Sequence, residues 1–528
     1  MTQQRPRKKA FVILAVWLGI VLIAVRADAG ALRLPAIYGD GMVLQRNLPV
    51  AIRGWAQPGE AVTVSIAGQS VQGEANGLGR WRLKLAPLAA SKEPLELTIS
   101  SASGEKLVRK DVLVGEVWVG SGQSNMEMGM SGTERGNEFI AATDRPAMRL
   151  FMIWRDQSPL PKEDCDADWT PCTPATVRSF SAALYHFGRH IQDDLDVPVG
   201  LIQSAYSGTS INPWIPMEGF NLTDAAHLTR EADAVRQYQE AYRGKLLGSL
   251  EQIERWASET RAAAEAGEPL TLPQLPSGFG MRGTTLFNAH IAPLIPFPIR
   301  GVVWYQGEAN VARNQDRQYC DAMKALIEGW RRAWSDETPP RAFPFYFVQI
   351  APRQYTGSYA NDVTKLPLLW ENQVAALEIP NTGMASTMDI SPIGKRDPRE
   401  AHPRNKRDVG YRLALWALAK TYGRENLVYS GPMYASYAIE GSRIRIRFDH
   451  VGGGLASRDG EPLTWFQIAG VDRQFVPAEA RIEGETVVVS SKDVPAPKAV
   501  RFGWHEIAVP NLMNREGLPA VPFRTDAW

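Results

Sequence analysis

The spacing of apolar and polar positions divides the chain into three stretches. From about Leu32 to Lys110, short apolar runs are broken by Gly, Pro and Asn, as in Met42-Val43-Leu44, Val62-Thr63-Val64-Ser65-Ile66 and Leu95-Glu96-Leu97-Thr98-Ile99. Period-two alternation at this spacing predicts a small β-sandwich. From Asp111 to about Gly423, strand-like runs at 112–119, 199–204, 301–305, 345–350 and 385–389 alternate with helical periods at 182–194, 316–333 and 405–422. That succession predicts an α/β domain, a mostly parallel sheet covered by helices. Such sheets bind ligands at the carboxyl ends of their strands. A charged, helix-favouring insertion at about 224–267 precedes a Pro/Gly-rich loop and reads as a surface excursion. After Glu425 the alternation returns, in Arg443-Ile444-Arg445-Ile446-Arg447-Phe448 and Thr486-Val487-Val488-Val489-Ser490, and predicts a second β module. No internal repeat is evident.

At 528 residues the chain is too long for one core. The patterns give a signal peptide at 1–29, an N-terminal β module at 30–110, a catalytic domain at 111–424 and a C-terminal β module at 425–528. The signal peptide rests on Arg5, Arg7, Lys8 and Lys9, an apolar run at 10–25 and Ala27-Asp28-Ala29 as an A-x-A cleavage pattern. The run is short for a membrane span. The mature protein is therefore expected outside the cytoplasm, periplasmic or secreted, with no stable membrane association after cleavage. A net charge of +1 gives no basic face, which argues against nucleic acid as a partner. Cys165, Cys172 and Cys320 fit no metal-site spacing, and Cys165 and Cys172 read equally as a local bridge or as free thiols. His186 and His190 stand at i and i+4 with no third ligand in view, so no metal is expected.

Four segments carry candidate chemistry. Gly120-Ser121-Gly122-Gln123-Ser124-Asn125-Met126 follows a buried strand, and small neighbours there expose a serine to a substrate carbonyl. Ser204-Ala205-Tyr206-Ser207-Gly208-Thr209-Ser210 and Trp304-Tyr305-Gln306-Gly307-Glu308-Ala309-Asn310 are also polar turns after strands. Asp397-Pro398-Arg399-Glu400-Ala401-His402-Pro403 precedes a helix. Acyl transfer needs a nucleophile, a base, an acid that orients the base, and oxyanion donors. Ser124 supplies the nucleophile and His402 the base. Glu400 is the orienting acid, with Asp397 as its rival and Asp389 further off. The Ser124 N–H, the Gly208 N–H and the Gln306 side-chain amide are the oxyanion donors. Gln123, Asn125, Glu308 and Asn310 are candidates for binding substrate. Glu308 and Gln306 read also as groups that satisfy buried backbone at a strand end.

These segments resemble the sialate O-acetylesterase family of the SGNH-hydrolase superfamily. Its signatures read G-x-V-W-x-x-x-G-Q-S-N-M, S-x-x-G-G-T, W-Y-Q-G-E-x-N and D-I-H-P-x-N-K. Here Gly115 to Met126, Trp304 to Asn310 and His402-Pro403-Arg404-Asn405-Lys406 follow them. Asp40-Gly41-Met42-Val43-Leu44-Gln45-Arg46 and the stretch from Gly517 to Asp526 extend the likeness over nearly the whole mature chain. The resemblance implies a three-layer α/β/α catalytic domain between β-sandwich-like modules, and a serine esterase that releases acetate from acetylated oligo- or polysaccharides without cofactor. The substrate would be an O-acetylated sialic acid or a hemicellulose such as xylan or xyloglucan. Two positions depart from the pattern. Ser207 stands at the family's first glycine, and Glu400 stands where an aspartate is usual. The alternatives are an inactive carbohydrate-binding protein on the same fold and a serine hydrolase of other esters.

Overall fold

The computed structural model describes residues 32–268, 280–335, 340–359, 361–394 and 396–528. Its centre is a sheet built from β1 (Lys106–Gly122), β2 (Arg145–Ile153), β3 (Trp169–Cys172), β4 (Val199–Ala205), β5 (Gly301–Tyr305), β6 (Phe345–Gln349) and β7 (Thr382–Ser386). The order across it is β7-β6-β5-β1-β4-β2-β3, parallel except for the antiparallel β2–β3 pair at one edge. From Val112 onward β1 is buried at every position, as are β4, β5 and β6 throughout. Strands covered on both faces require the continuous apolar runs seen in the sequence.

The helices include α1 (Ser124–Glu127), α2 (Ala182–Leu195), α3 (Ala226–Ala266), α4 (Tyr319–Trp334) and α5 (Lys406–Trp416). Phe345 and Tyr346 are consecutive on β6 and so point to opposite faces. Phe345 meets Trp330 of α4 with ring centres 6.0 Å apart, and Tyr346 meets Trp416 of α5 at 6.4 Å. Helices therefore cover both faces. Trp118 of β1 joins the α5 side, packing edge-on against Phe187 of α2 at 4.9 Å. On that face Gly410 of α5 lies so close to α2 that a Cβ there would stand 2.6 Å from the Ala183 carbonyl oxygen.

Most N-terminal strands join this same sheet, while Val50–Trp55 and Arg80–Leu85 form a separate antiparallel pair. Val43–Gln45 pairs in parallel with Leu113 to Gly115 of β1, while Ser91–Ser101 pairs with β1 in antiparallel register and bridges to Ala61–Ile66. The boundary expected near residue 110 falls inside β1, where Asp111 takes a left-handed φ of 57° and bends a strand that continues. The hydrophobic core is likewise shared from Leu32 to Leu418 and takes in Val521 of the C-terminal region. The C-terminal region has its own core, including Ile444, Ile446, Val487, Val489, Ile468 and Phe502, between antiparallel strands. The insertion forms α3, of 41 residues, buried only at Leu228, Ala232 and Val235 near its start. The apolar spacing predicts neither β2 nor β3, and β7 lies at 382–386 rather than 385–389. The signal-peptide reading at 1–29 lies outside the described residues. No helix among the described residues is long and apolar enough to cross a membrane. All three cysteines are free, and burial pushes the Cys165 and Cys172 thiols up to about 12.

Candidate active site

Three of the four segments converge because their strands end level. Gly122 of β1 stands opposite Ala205 of β4 on one side and Tyr305 of β5 on the other. The chain beyond each end therefore emerges at one edge, with Ser124, Gly208 and Glu308 following within a few residues. Backbone bonds continue past the ladder: the Gln123 N–H donates to the Tyr305 carbonyl at 3.0 Å and the Tyr206 N–H to the Gly122 carbonyl at 3.1 Å. Gly122 is required here. Its φ is +137°, and a Cβ would stand 2.2 Å from the Tyr305 carbonyl oxygen. Ser124 opens α1, where first-turn N–H groups have no intrahelical acceptor.

Asn125 ties the fourth segment to the others. Its amide nitrogen donates to Glu308 Oε1 at 2.5 Å and to the Ala401 carbonyl at 2.9 Å, and its Oδ1 accepts from Lys406 Nζ at 2.5 Å. The residue after Ser124 thus grips the residue before His402 and the first residue of α5. Gln123 Oε1 accepts from Gln306 Nε2 at 3.1 Å and from the Ala309 N–H at 3.2 Å. Gln306 Nε2 also donates to the Thr209 carbonyl at 3.1 Å and to Asn310 Oδ1 at 2.8 Å. Its hydrogens are committed inward, and neither it nor Asn125 nor Asn310 lines the cleft. The oxyanion role expected of Gln306 and the substrate-binding role expected of Asn125 and Asn310 are not what this geometry offers. All three instead fasten the strand-end turns together. Gln123 and Glu308 reach the cleft wall.

A cleft of about 1170 Å³ opens over these turns, and Ser124, Gly208, Glu400 and His402 all line it. Gly208 has φ +73° and open space where a Cβ would stand, so its backbone faces the cleft unobstructed. Ser207 fits at the family's glycine position because Glu127 of α1 receives both its N–H, at 2.8 Å, and its hydroxyl. Arg155 pairs with the same carboxylate at 2.7 Å. Among the described residues no hydrogen bond links Ser124 to His402 or His402 to Glu400. Such contacts are often long before substrate closes the site. Glu400 lies 3.6 Å from Arg396 and 3.7 Å from Arg404. Asp397 is exposed and caps a turn, accepting the Arg399 N–H at 2.9 Å, while Asp389 is held in a two-pronged pair with Arg412 at 2.6 and 2.7 Å. Of the three acids, only Glu400 is on the cleft wall.

Burial, then the charges of Lys406 and Arg353, hold His402 below its ordinary value, against the opposing pull of Glu400. An imidazole kept neutral in this way can accept a proton. Lys406 is fully buried, with its ammonium 4.8 Å from the Tyr305 ring centre. Burial brings it down to about 7, although Glu308 opposes the shift, and burial raises Glu308 in turn. Arg313 and Arg353 also line the cleft, and among the described residues neither has a carboxylate partner. The loop bearing Arg353 is anchored by the C-terminal region: the Glu506 carboxylate accepts the Tyr355 and Thr356 N–H groups at 2.8 and 3.1 Å. Lys406, Glu127 and Glu506 also build the site, and sequence spacing alone does not predict them. Lys406 alone carried a signal, as the last residue of the fourth motif.

Residues 114–247 and 281–417 match the family model described as carbohydrate esterase, sialic acid-specific acetylesterase. The mouse sialate O-acetylesterase is 30% identical over 453 residues, covering 79% of each chain. The human sialate O-acetylesterase is 29% identical over 458 residues, covering 80% of this chain and 77% of that one. The crystal structure of a carbohydrate acetylesterase from Xanthomonas citri superposes with a TM-score of 0.78 at 33% identity, covering 94% of this chain and 100% of that one. Fold and relatives together define a carboxylic ester hydrolase. The chain belongs to the sialic acid-specific acetylesterase family of carbohydrate esterases, whose reaction is the hydrolysis of acetyl esters on sugars.

Proposed function

We propose that the protein is an exported carbohydrate O-acetylesterase that works through a serine acyl-enzyme on an SGNH-type three-layer domain. The observation that carries this reading is the meeting of Ser124, Gly208 and His402 on one cleft wall. Ser124 Oγ attacks the acetyl carbonyl while His402 takes its proton, and Glu400 holds the imidazole. The N–H groups of Ser124 and Gly208 receive the oxyanion, each such donor being worth about 3 kcal/mol in the transition state. His402 then protonates the departing sugar hydroxyl. Water, activated by the same histidine, attacks the acetyl-serine ester and releases acetate, restoring Ser124. The residues at 1–29 would direct export and be removed.

Arg313 and Arg353 favour a second reading of the substrate, a sugar acid whose carboxylate would meet them. The test is acetate release from acetylated xylo-oligosaccharides, acetylated xyloglucan and 9-O-acetyl sialic acid, with Ser124→Ala alongside. Release that vanishes in the variant is the expected result, and the substrate that gives it selects the sugar. Folded protein that releases nothing from any of the three would favour the binding-protein alternative. Activity confined to long-chain esters or peptides would favour the other hydrolase.

A further inference from the structure

Two exposed aromatic side chains follow strands that lie on either side of the strand leading to Ser124. Trp154 is the first residue beyond β2 and is 64% exposed, while Tyr359, in the loop after β6, is 53% exposed. β2 lies two strands from β1 through β4, and β6 lies two strands from β1 through β5. With neighbouring strands about 4.8 Å apart, the ends of β2 and β6 stand about 10 Å to either side of β1, and ten residues past β6 the loop brings Tyr359 to the cleft that Ser124 lines. Because β1, β2 and β6 share one direction, both aromatic residues follow carboxyl ends, on the edge where the cleft opens.

Each has surroundings that suit a sugar ring. Tyr359 lines the catalytic cleft itself, with the Arg353 guanidinium 5.6 Å from its ring centre, on the loop that Glu506 fastens. Trp154 walls a second cavity of about 410 Å³ with Asp166, Asp168, Thr170 and Ser179. The next residue, Arg155, lines the catalytic cleft, so the two hollows adjoin along the chain. A single exposed indole would mean nothing. Here an apolar ring face stands beside carboxylates and hydroxyls, the combination that takes the C–H face of a sugar and its hydroxyls together. Other exposed large side chains, such as Leu247 on α3 and Val471 in the C-terminal region, line neither hollow. The main cleft alone exceeds the usual size of a site for one small ligand, about 300–1,000 Å³.

We propose, resting on the acetylesterase reading, that Trp154 and Tyr359 are sugar-stacking platforms on either side of Ser124. The substrate is then an acetylated oligo- or polysaccharide lying across the carboxyl edge of the sheet, with its acetylated ring at the serine and neighbouring rings on the two aromatic faces. A free acetylated monosaccharide would use the centre alone.

The test measures kcat/KM on acetylated xylo-oligosaccharides of increasing length and on 4-nitrophenyl acetate, for the wild type, Trp154→Ala, Tyr359→Ala and Trp154→Phe. For the wild type, kcat/KM should rise with chain length. Either alanine variant should flatten that rise through KM and lose about tenfold on the longest chain, the equivalent of about 1.4 kcal/mol. Both should lose far less on 4-nitrophenyl acetate than on the longest chain, and Trp154→Phe should retain most of the chain-length effect. A wild-type rate indifferent to length overturns the proposal. So does an alanine variant that loses the small ester as heavily as the oligosaccharide. Should the wild type hydrolyse nothing, the esterase reading fails by itself, and calorimetric titration with xylohexaose judges the platforms. Binding weakened about tenfold in Trp154→Ala supports them, and no binding to the wild type overturns them.

Discussion

Lys406 donates to Asn125 Oδ1 at 2.5 Å from a fully buried position, and this contact joins the helix after His402 to the turn of Ser124. Asn125 completes the link with its bonds to Glu308 and to the Ala401 carbonyl. A buried ammonium is expensive unless well partnered. Here the partners are an amide oxygen, an aromatic face and the field of a carboxylate. That arrangement yields a sign for the pH dependence of stability. Lys406 titrates near 7 in the fold against 10.5 in the open chain, so between those values the unfolded state holds more protons. Stability from this group therefore rises with pH across that window and is absent below it. The denaturant midpoint of the wild type relative to Lys406→Met should climb from pH 7 to pH 10; a constant difference would refute the assignment.

The same charge acts on His402. Burial and Lys406 both hold His402 below 6.5, so its neutral form persists into mildly acidic solution. The acid limb of kcat/KM should then fall below pH 6.5 in the wild type. In Lys406→Met it should move to higher pH, because one of the charges opposing protonation is gone. A pH–rate profile of each enzyme on one acetyl ester reads this directly. A limb that stays in place means that the titrating group is not His402 or that Lys406 does not reach it.

The orienting acid is the next point open to measurement. Glu400 shares the cleft wall with His402, whereas Asp397 caps a turn in solvent and Asp389 is engaged by Arg412. Removing the acid of a catalytic triad lowers kcat by about 10⁴-fold when the imidazole loses its orientation. Glu400→Gln should accordingly lose about 10²–10⁴-fold in kcat, with Asp397→Ala within about threefold of wild type. The reverse ranking would transfer the role to Asp397.

Much of the site was legible because its residues sit in turns whose composition announces them. Ser124, Gly208 and His402 stand in small-residue or proline-marked turns, and the strands before the first two are mostly apolar, interrupted by Glu116 and by Gln203 and Ser204. The inward partners were not legible. Whether Gln306 faces a substrate or the Thr209 carbonyl depends on how two turns approach, and spacing along the chain does not encode that. The sequence pattern starts β7 too late because Gly383 reads as a breaker. In the fold it is where Trp416 approaches so closely that a Cβ would stand 2.4 Å from the indole. β2 was missed because Arg145, Pro146 and Arg149 interrupt its apolar pattern. Arg149 is nonetheless buried and held by Asp111 at 3.0 Å through both prongs.

Glu127 accounts for Ser207, the position at which this chain departs from the family's glycine. Its carboxylate receives the Ser207 N–H and hydroxyl together and is itself held by Arg155. The loop that presents the Gly208 N–H is thereby tied to α1, the helix that begins with Ser124. If Gly208 supplies an oxyanion donor, releasing the loop should weaken the transition state more than the ground state. Glu127→Ala should lower kcat by about 10–100-fold with a smaller change in KM, the scale expected when a donor drifts by about 1 Å. Ser207→Gly removes the hydroxyl contact but keeps the N–H bond to Glu127, so it should retain most of the activity. Steady-state kinetics of the two variants on one acetylated sugar decides the matter. Equal losses would place the hydroxyl itself in the chemistry, and no loss in Glu127→Ala would show that the loop is held without it.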